Sequence, residues 1–163
     1  MNKFLNLTTT ALFLALGVFI SCGGGGTEPE PPEDPCEINA GFLVSGTATV
    51  SSVTNPSGTI VTDDWSGFTL TFTGSKDGGS YSTTVSSLAD ASLQNIWAAS
   101  GSWSFSGSDT TCKTVDVNGG FSAVRPTTLA ITSTQMTLTF DVPEADTGRT
   151  SGIPGTWVFN FTF

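Results

Sequence analysis

Asp63 and Asp64 stand beside Trp65, the most chemically suggestive phrase in the chain. A carboxylate next to an indole can hold a sugar, by hydrogen bonds to its hydroxyls and by stacking against its C–H face. Two carboxylates can also act as the acid and nucleophile of a glycosidase, provided they stand at a set separation. Adjacent residues on a strand point to opposite faces, so this pair alone makes a poor dyad. Its plainer reading is a solvated turn ahead of a core tryptophan. Asp141, Glu144 and Asp146 place three carboxylates in one stretch, with Arg149 close behind. Oxygen-rich loops suit calcium, but the spacing is not that of an EF-hand. A solvated hairpin loop with a weak surface ion pair explains the stretch equally well. Trp97, followed by Ala98 and Ala99, is the last candidate, either in the core or at the rim of a cavity or binding surface.

Nothing in the chain activates a nucleophile. It contains no histidine, which removes the commonest general base and the Ser/His and Cys/His pairs. Neither Lys76 nor Lys113 lies in a Ser-x-x-Lys phrase, and there is no phosphate-binding loop. With 14 acidic residues against 5 basic ones and a net charge of −9, nucleic acid is excluded as a partner, because its binding needs a basic surface. The expectation is a protein without catalysis and without a resident cofactor.

The N-terminus reads as an address. Lys3 precedes an apolar run over residues 11–20, too short to span a bilayer core of about 30 Å as a helix. The run ends in Phe19-Ile20-Ser21-Cys22, which resembles the lipobox of bacterial lipoproteins, with Phe19 where Leu is usual. The resemblance implies a signal peptide over residues 1–21, cleavage before Cys22, and lipid on that cysteine, whose several acyl chains anchor stably. Residues 22–40 are then a tether. Four glycines give a flexible joint, and the acidic Pro-rich run from Thr27 to Pro35 gives an extended, self-repelling spacer. An acidic stretch just after the lipidated cysteine also resembles the export signal of lipoproteins displayed at the cell surface. Outer-membrane anchorage with outward display is therefore expected, the periplasmic face being the alternative.

Once residues 1–21 are removed, Cys36 and Cys112 are the remaining thiols apart from the lipidated one. An even pair in an exported, oxidising compartment favours a disulfide over two separate buried cysteines. Two cysteines without histidine make a poor zinc site.

The elements that must position these residues are strands. From residue 41 to 163 the apolar period is two nearly everywhere. It runs through Phe42, Val44, Ala48 and Val50; Phe68, Leu70 and Phe72; Tyr81, Thr83 and Val85; Trp103 and Phe105; Val115 and Val117. It resumes at Phe121, then Leu129 and Ile131; Met136, Leu138, Phe140 and Val142; and Trp157, Phe159, Phe161 and Phe163. Asp77-Gly78 and Asn118-Gly119 mark hairpin turns. One apolar face and one Ser/Thr face per strand mean antiparallel sheet buried on one side. Residues 88–99 break the pattern. Ser87 to Asp90 reads as a capping box, and Ala89, Leu93, Ile96 and Trp97 fall at helical spacing. Thr69–Phe72 recurs as Thr137–Phe140, and Gly101-Ser-Trp-Ser-Phe105 as Gly155-Thr-Trp-Val-Phe159, a pattern open to internal duplication or to chance. The Gly-x-Trp phrase resembles the one in lipocalin-like barrels, though here both copies lie late in the chain.

These readings converge on a single all-β domain over residues 41–163. It is an antiparallel sandwich of about nine strands with one short helix, the alternative being a lipocalin-like up-and-down barrel. A membrane-spanning barrel is made redundant by the lipid anchor. Function is expected to be that of a lipid-anchored accessory or binding module, either a subunit of an envelope protein complex or a glycan binder. A lipocalin-like carrier of a hydrophobic ligand is the alternative, and a carboxylate-dependent glycoside hydrolase a more distant one.

Overall fold

The structure, a computed structural model, describes residues 32–121, 123–144 and 154–163. The signal peptide, Cys22 and most of the tether therefore lie outside the described residues, as do Asp146 and Arg149. A helix α1 (Pro35–Leu43) leads into eight strands: β1 (Thr47–Thr54), β2 (Thr69–Ser75), β3 (Gly78–Thr83), β4 (Ser100–Phe105), β5 (Thr114–Asn118), β6 (Arg125–Ile131), β7 (Gln135–Val142) and β8 (Gly155–Thr162). Each strand pairs antiparallel with the next, and β8 closes on β1, so the sheet is a closed up-and-down barrel. The all-β expectation holds, in the barrel form rather than the sandwich, with eight strands rather than nine. Closure rests on pairs such as Val53 with Phe159 and Val50 with Phe161, across a bulge at Ser51. It leaves no exposed sheet edge.

Two segments depart from the expected elements. Phe42 and Val44 belong to α1 and its C-terminal cap, not to a strand, and α1 takes up Pro35 to Ala40, where the end of an extended tether was expected. Asp34 starts the helix, its carboxylate accepting from the Cys36 N–H at 2.9 Å, with Pro35 at the first helical position. The expected helix over 88–99 is instead two 3-10 turns, Val85–Ser87 and Ala91–Asn95. Here Ser87 donates to the Thr84 carbonyl and Asp90 accepts from the Ser92 N–H. Such short-range bonds compete with an α-helical ladder. The repeated phrases do not mark a duplicated unit. Their first pair sits on β2 and β4, which flank β3, and their second on β7 and β8, which are neighbours.

An eight-stranded barrel is just wide enough for its inward side chains to meet. They do so around Phe159, whose ring lies 4.7 Å from Trp65, 5.6 Å from Phe140 and 5.8 Å from Trp97. In a meander, alternate connections fall at opposite ends. The first end, here called the base, carries α1, the β2–β3 and β4–β5 connections, the β6–β7 turn and Phe163. The second, the mouth, carries the β1–β2, β3–β4, β5–β6 and β7–β8 connections.

The base is pinned covalently. Cys36 of α1 is joined to Cys112 in the β4–β5 connection, their Cα atoms 5.1 Å apart, as the paired thiols led one to expect. Asn39 adds a hydrogen bond to the Cys112 carbonyl at 3.0 Å. Ala40 and Leu43 are buried against the barrel. Lys76 of the β2–β3 turn reaches Asp34 at 3.2 Å and Glu37 at 3.9 Å. The Cys36 N–H and this lysine hold the Asp34 carboxyl below its usual range, while Asp34 raises the Lys76 ammonium.

Candidate functional site

Of the residues singled out as ligand or metal candidates, Asp63, Asp64, Trp65, Trp97, Asp141 and Glu144 are described, and all six fall at the mouth, for reasons of topology. Asp63, Asp64 and Trp65 lie on a 3-10 turn, Thr62–Trp65, in the β1–β2 connection. Trp97 ends the β3–β4 connection, and Asp141 and Glu144 stand at the end of β7. The structure nevertheless separates carboxylates from indoles. Asp63 and Asp64 are exposed, while Trp65 is fully buried against Phe68, Trp157 and Phe159. Trp97 is 2% exposed and boxed by Phe68, Tyr81, Phe140 and Phe159. Neither tryptophan offers a platform to a sugar, which corrects the surface role considered for both. Both enter the barrel from above as plugs because the connections bearing them fold inward.

Asp141 is exposed and accepts from the Thr156 hydroxyl at 2.5 Å; Glu144 is exposed beside it. Among the described residues no three His, Cys, Asp or Glu side chains are placed to share a metal ion.

The sequence reading passed over Arg125, the one buried charged side chain among the described residues, at 5% exposure. Its guanidinium donates to the carbonyls of Ile96 at 2.5 Å and Asn95 at 3.1 Å, and lies 3.4 Å over the Phe121 ring. It thereby ties the β3–β4 plug to β6, with a cation–π contact on its outer side. Tyr81 and Trp97 are also conspicuous. Neither the Tyr81 hydroxyl nor the Trp97 indole N–H has a hydrogen-bond partner, although both are buried, and the Trp65 N–H is in the same position. Burial pushes the Tyr81 phenol up to about 12, against a smaller opposing pull from Arg125.

Two kinds of surface thus meet at the mouth. Its rim is acidic in Asp63, Asp64, Asp90, Asp141 and Glu144, with Ile60 71% and Val124 49% exposed. A groove of about 170 Å³ there is lined by Val124, Pro126, Asp141 and Pro143 among others. Beneath the rim lies a closed aromatic interior with one buried cation. These features define a small disulfide-pinned β-barrel whose mouth is filled by its own tryptophans. The chain matches no protein-family model, no curated protein and no solved structure.

Proposed function

We propose that this protein is a lipid-anchored, non-catalytic binding module of the bacterial outer membrane, displayed on its tether and engaging a protein partner through the barrel mouth. The observation that carries the reading is the polarity of the barrel. The chain before Pro32 joins it through α1 at the base, whereas the exposed Ile60 and Val124 and the acidic rim lie at the opposite end. The rim favours a partner that offers an apolar side chain flanked by lysine or arginine. Burial of all four tryptophans disfavours the glycan reading, which needs an exposed aromatic face. A filled interior likewise disfavours a carrier with an open cavity.

The test begins with in-cell crosslinking and gentle detergent extraction of the full chain from its native membrane. A specific protein should co-purify with wild type and with Ile38→Ser at the base. It should be lost from Ile60→Asp and Val124→Asp at unchanged surface level. Recovery of the protein alone, or equal loss from the base variant, would overturn the proposal. A free thiol and absence of lipid at Cys22, read by mass spectrometry, would remove the anchor from it.

A further inference from the structure

We propose that the mouth interior is the closed form of a binding site for a small flat carboxylate, an aromatic acid whose body takes the place of the Trp97 indole. The inference is independent of the docking role of the rim, since it concerns groups no partner protein can reach.

It starts from unspent donors. An indole N–H can only donate, and a buried donor without an acceptor carries a desolvation cost that a folded protein rarely leaves in place. Trp97 and Tyr81, each 2% exposed, both leave such a donor unpartnered, and their rings lie only 6.0 Å apart. The Tyr81 hydroxyl faces Gly119 at the end of β5, where a Cβ would come within 2.1 Å of it and within 3.2 Å of the Phe121 ring. Phe121 in turn covers the Arg125 guanidinium. The Arg125 guanidinium lines a seam with Ile96, Trp97, Val117, Phe121 and Phe140, and the Tyr81 hydroxyl stands beside its Phe121 wall; once the indole leaves, that hydroxyl and that cation are the groups left to face a ligand. Donors and positive charge gathered in an apolar setting suit an anion with a flat hydrophobic body.

The seam has no room for even a water molecule as it stands, so binding requires the plug to leave. Its attachments are compatible with that. The Ala91–Asn95 turn is held by short-range bonds such as Leu93 N–H to Asp90 C=O and Ile96 N–H to Leu93 C=O. It is tied to the barrel wall by the bonds from Arg125 to Asn95 and Ile96 and, just past Trp97, by bonds from Thr83 to the Ala98 and Ala99 carbonyls, which leave the Trp97 side chain itself without a hydrogen bond to hold it. A carboxylate offers that guanidinium two better acceptors than the carbonyls it gives up. The Tyr81 hydroxyl gains its missing partner in the same step. The ligand's ring then occupies the box of Phe68, Tyr81, Phe140 and Phe159 vacated by the indole.

The experiment titrates the full chain in mild detergent with 1-naphthoate and, separately, with the neutral 1-naphthalenemethanol. Readouts are the Trp97 indole and Arg125 guanidinium resonances. Naphthoate should shift both saturably at millimolar concentration or below, and the alcohol should not. Tyr81→Phe keeps the ring and the fold and should weaken naphthoate about tenfold, as expected for one hydrogen bond to a charged group. Trp97→Ala removes the competing plug and should tighten it by at least about tenfold. Absence of a shift in wild type, equal binding of the alcohol, or unchanged affinity in Tyr81→Phe each overturns the proposal. So does binding that appears only in Trp97→Ala, because the cavity would then be the mutation's own.

Discussion

Replacing Cys36 and Cys112 together with alanine tests whether α1 belongs to the cooperative unit of the barrel. The two cysteines are 76 residues apart, and closing a loop of that length removes about 15 cal/mol/K from the unfolded chain in the chain-entropy model, or about 4.5 kcal/mol at 25 °C. Without the bond α1 keeps three other ties. These are the buried Ala40 and Leu43, the Asn39 hydrogen bond to Cys112, and the exposed Lys76–Asp34 pair. The first is worth about 2 kcal/mol or more, the second about 1 kcal/mol, and the third little. The helix therefore stays docked in the variant, and the lost entropy term appears in global unfolding. With a urea slope of about 2 kcal/mol/M, the midpoint should fall by roughly 2 M, with a slope no smaller than that of wild type because the unbridged unfolded chain is less compact. Wild type reduced with dithiothreitol should behave as the variant does. A loss below about 1 kcal/mol, with fast hydrogen exchange confined to residues 35–43, would refute the reasoning. It would show that the bond clamps a helix that unfolds by itself.

Three further outcomes follow from the mouth. The Tyr81 phenol is pushed from 10 to about 12, so the unfolded chain releases this proton first. The associated stability is whole below pH 10, falls by on the order of 3 kcal/mol towards pH 12, and the step should vanish from alkaline unfolding curves of Tyr81→Phe. Gly119→Ala sets a methyl 2.1 Å from the Tyr81 hydroxyl and 2.5 Å from the Ala98 Cβ. It should lose about 2 kcal/mol in thermal or urea denaturation, partly recovered in the double variant with Tyr81→Phe. Arg125→Met strands the Asn95 and Ile96 carbonyls; it should cost about 2–4 kcal/mol and accelerate hydrogen exchange across residues 91–97.

The strand faces were legible because a half-buried sheet imposes its two-residue period on the sequence. Leu70 and Phe72; Met136, Leu138, Phe140 and Val142; and Trp157, Phe159 and Phe161 all point inward as that period requires. Closure was not legible. It depends on pairing β1 with β8 across nearly the whole domain, and one-sided alternation is equally good in a sandwich. The start of α1 was written in Asp34-Pro35 and Glu37, but the same residues continue an acidic Pro-rich run, and Phe42 fits either period. Leu93, Ile96 and Trp97 were rightly placed on a buried face. Ser87 and Asp90 bond locally, and the Asn95 carbonyl turns to Arg125, which leaves too little ladder for an α-helix. Arg125 was within reach, since Leu129 and Thr127 face inward and the period carries that phase back to residue 125. Trp65 and Trp97 were not, because nothing local tells whether a loop folds over a barrel or into it.

The disulfide also decides where a pull would be felt. Tension on the chain ahead of Pro32 reaches Cys36 after a few residues and crosses there to Cys112. The load then bypasses the rest of α1 and the first four strands, entering the sheet beside β5. Strand β1, which would otherwise be the first to peel from β2 and β8 under traction from its own end, is shielded. A pull from the N-terminal side would thus grip the domain at its covalently closed base, away from the seam between its first and last strands.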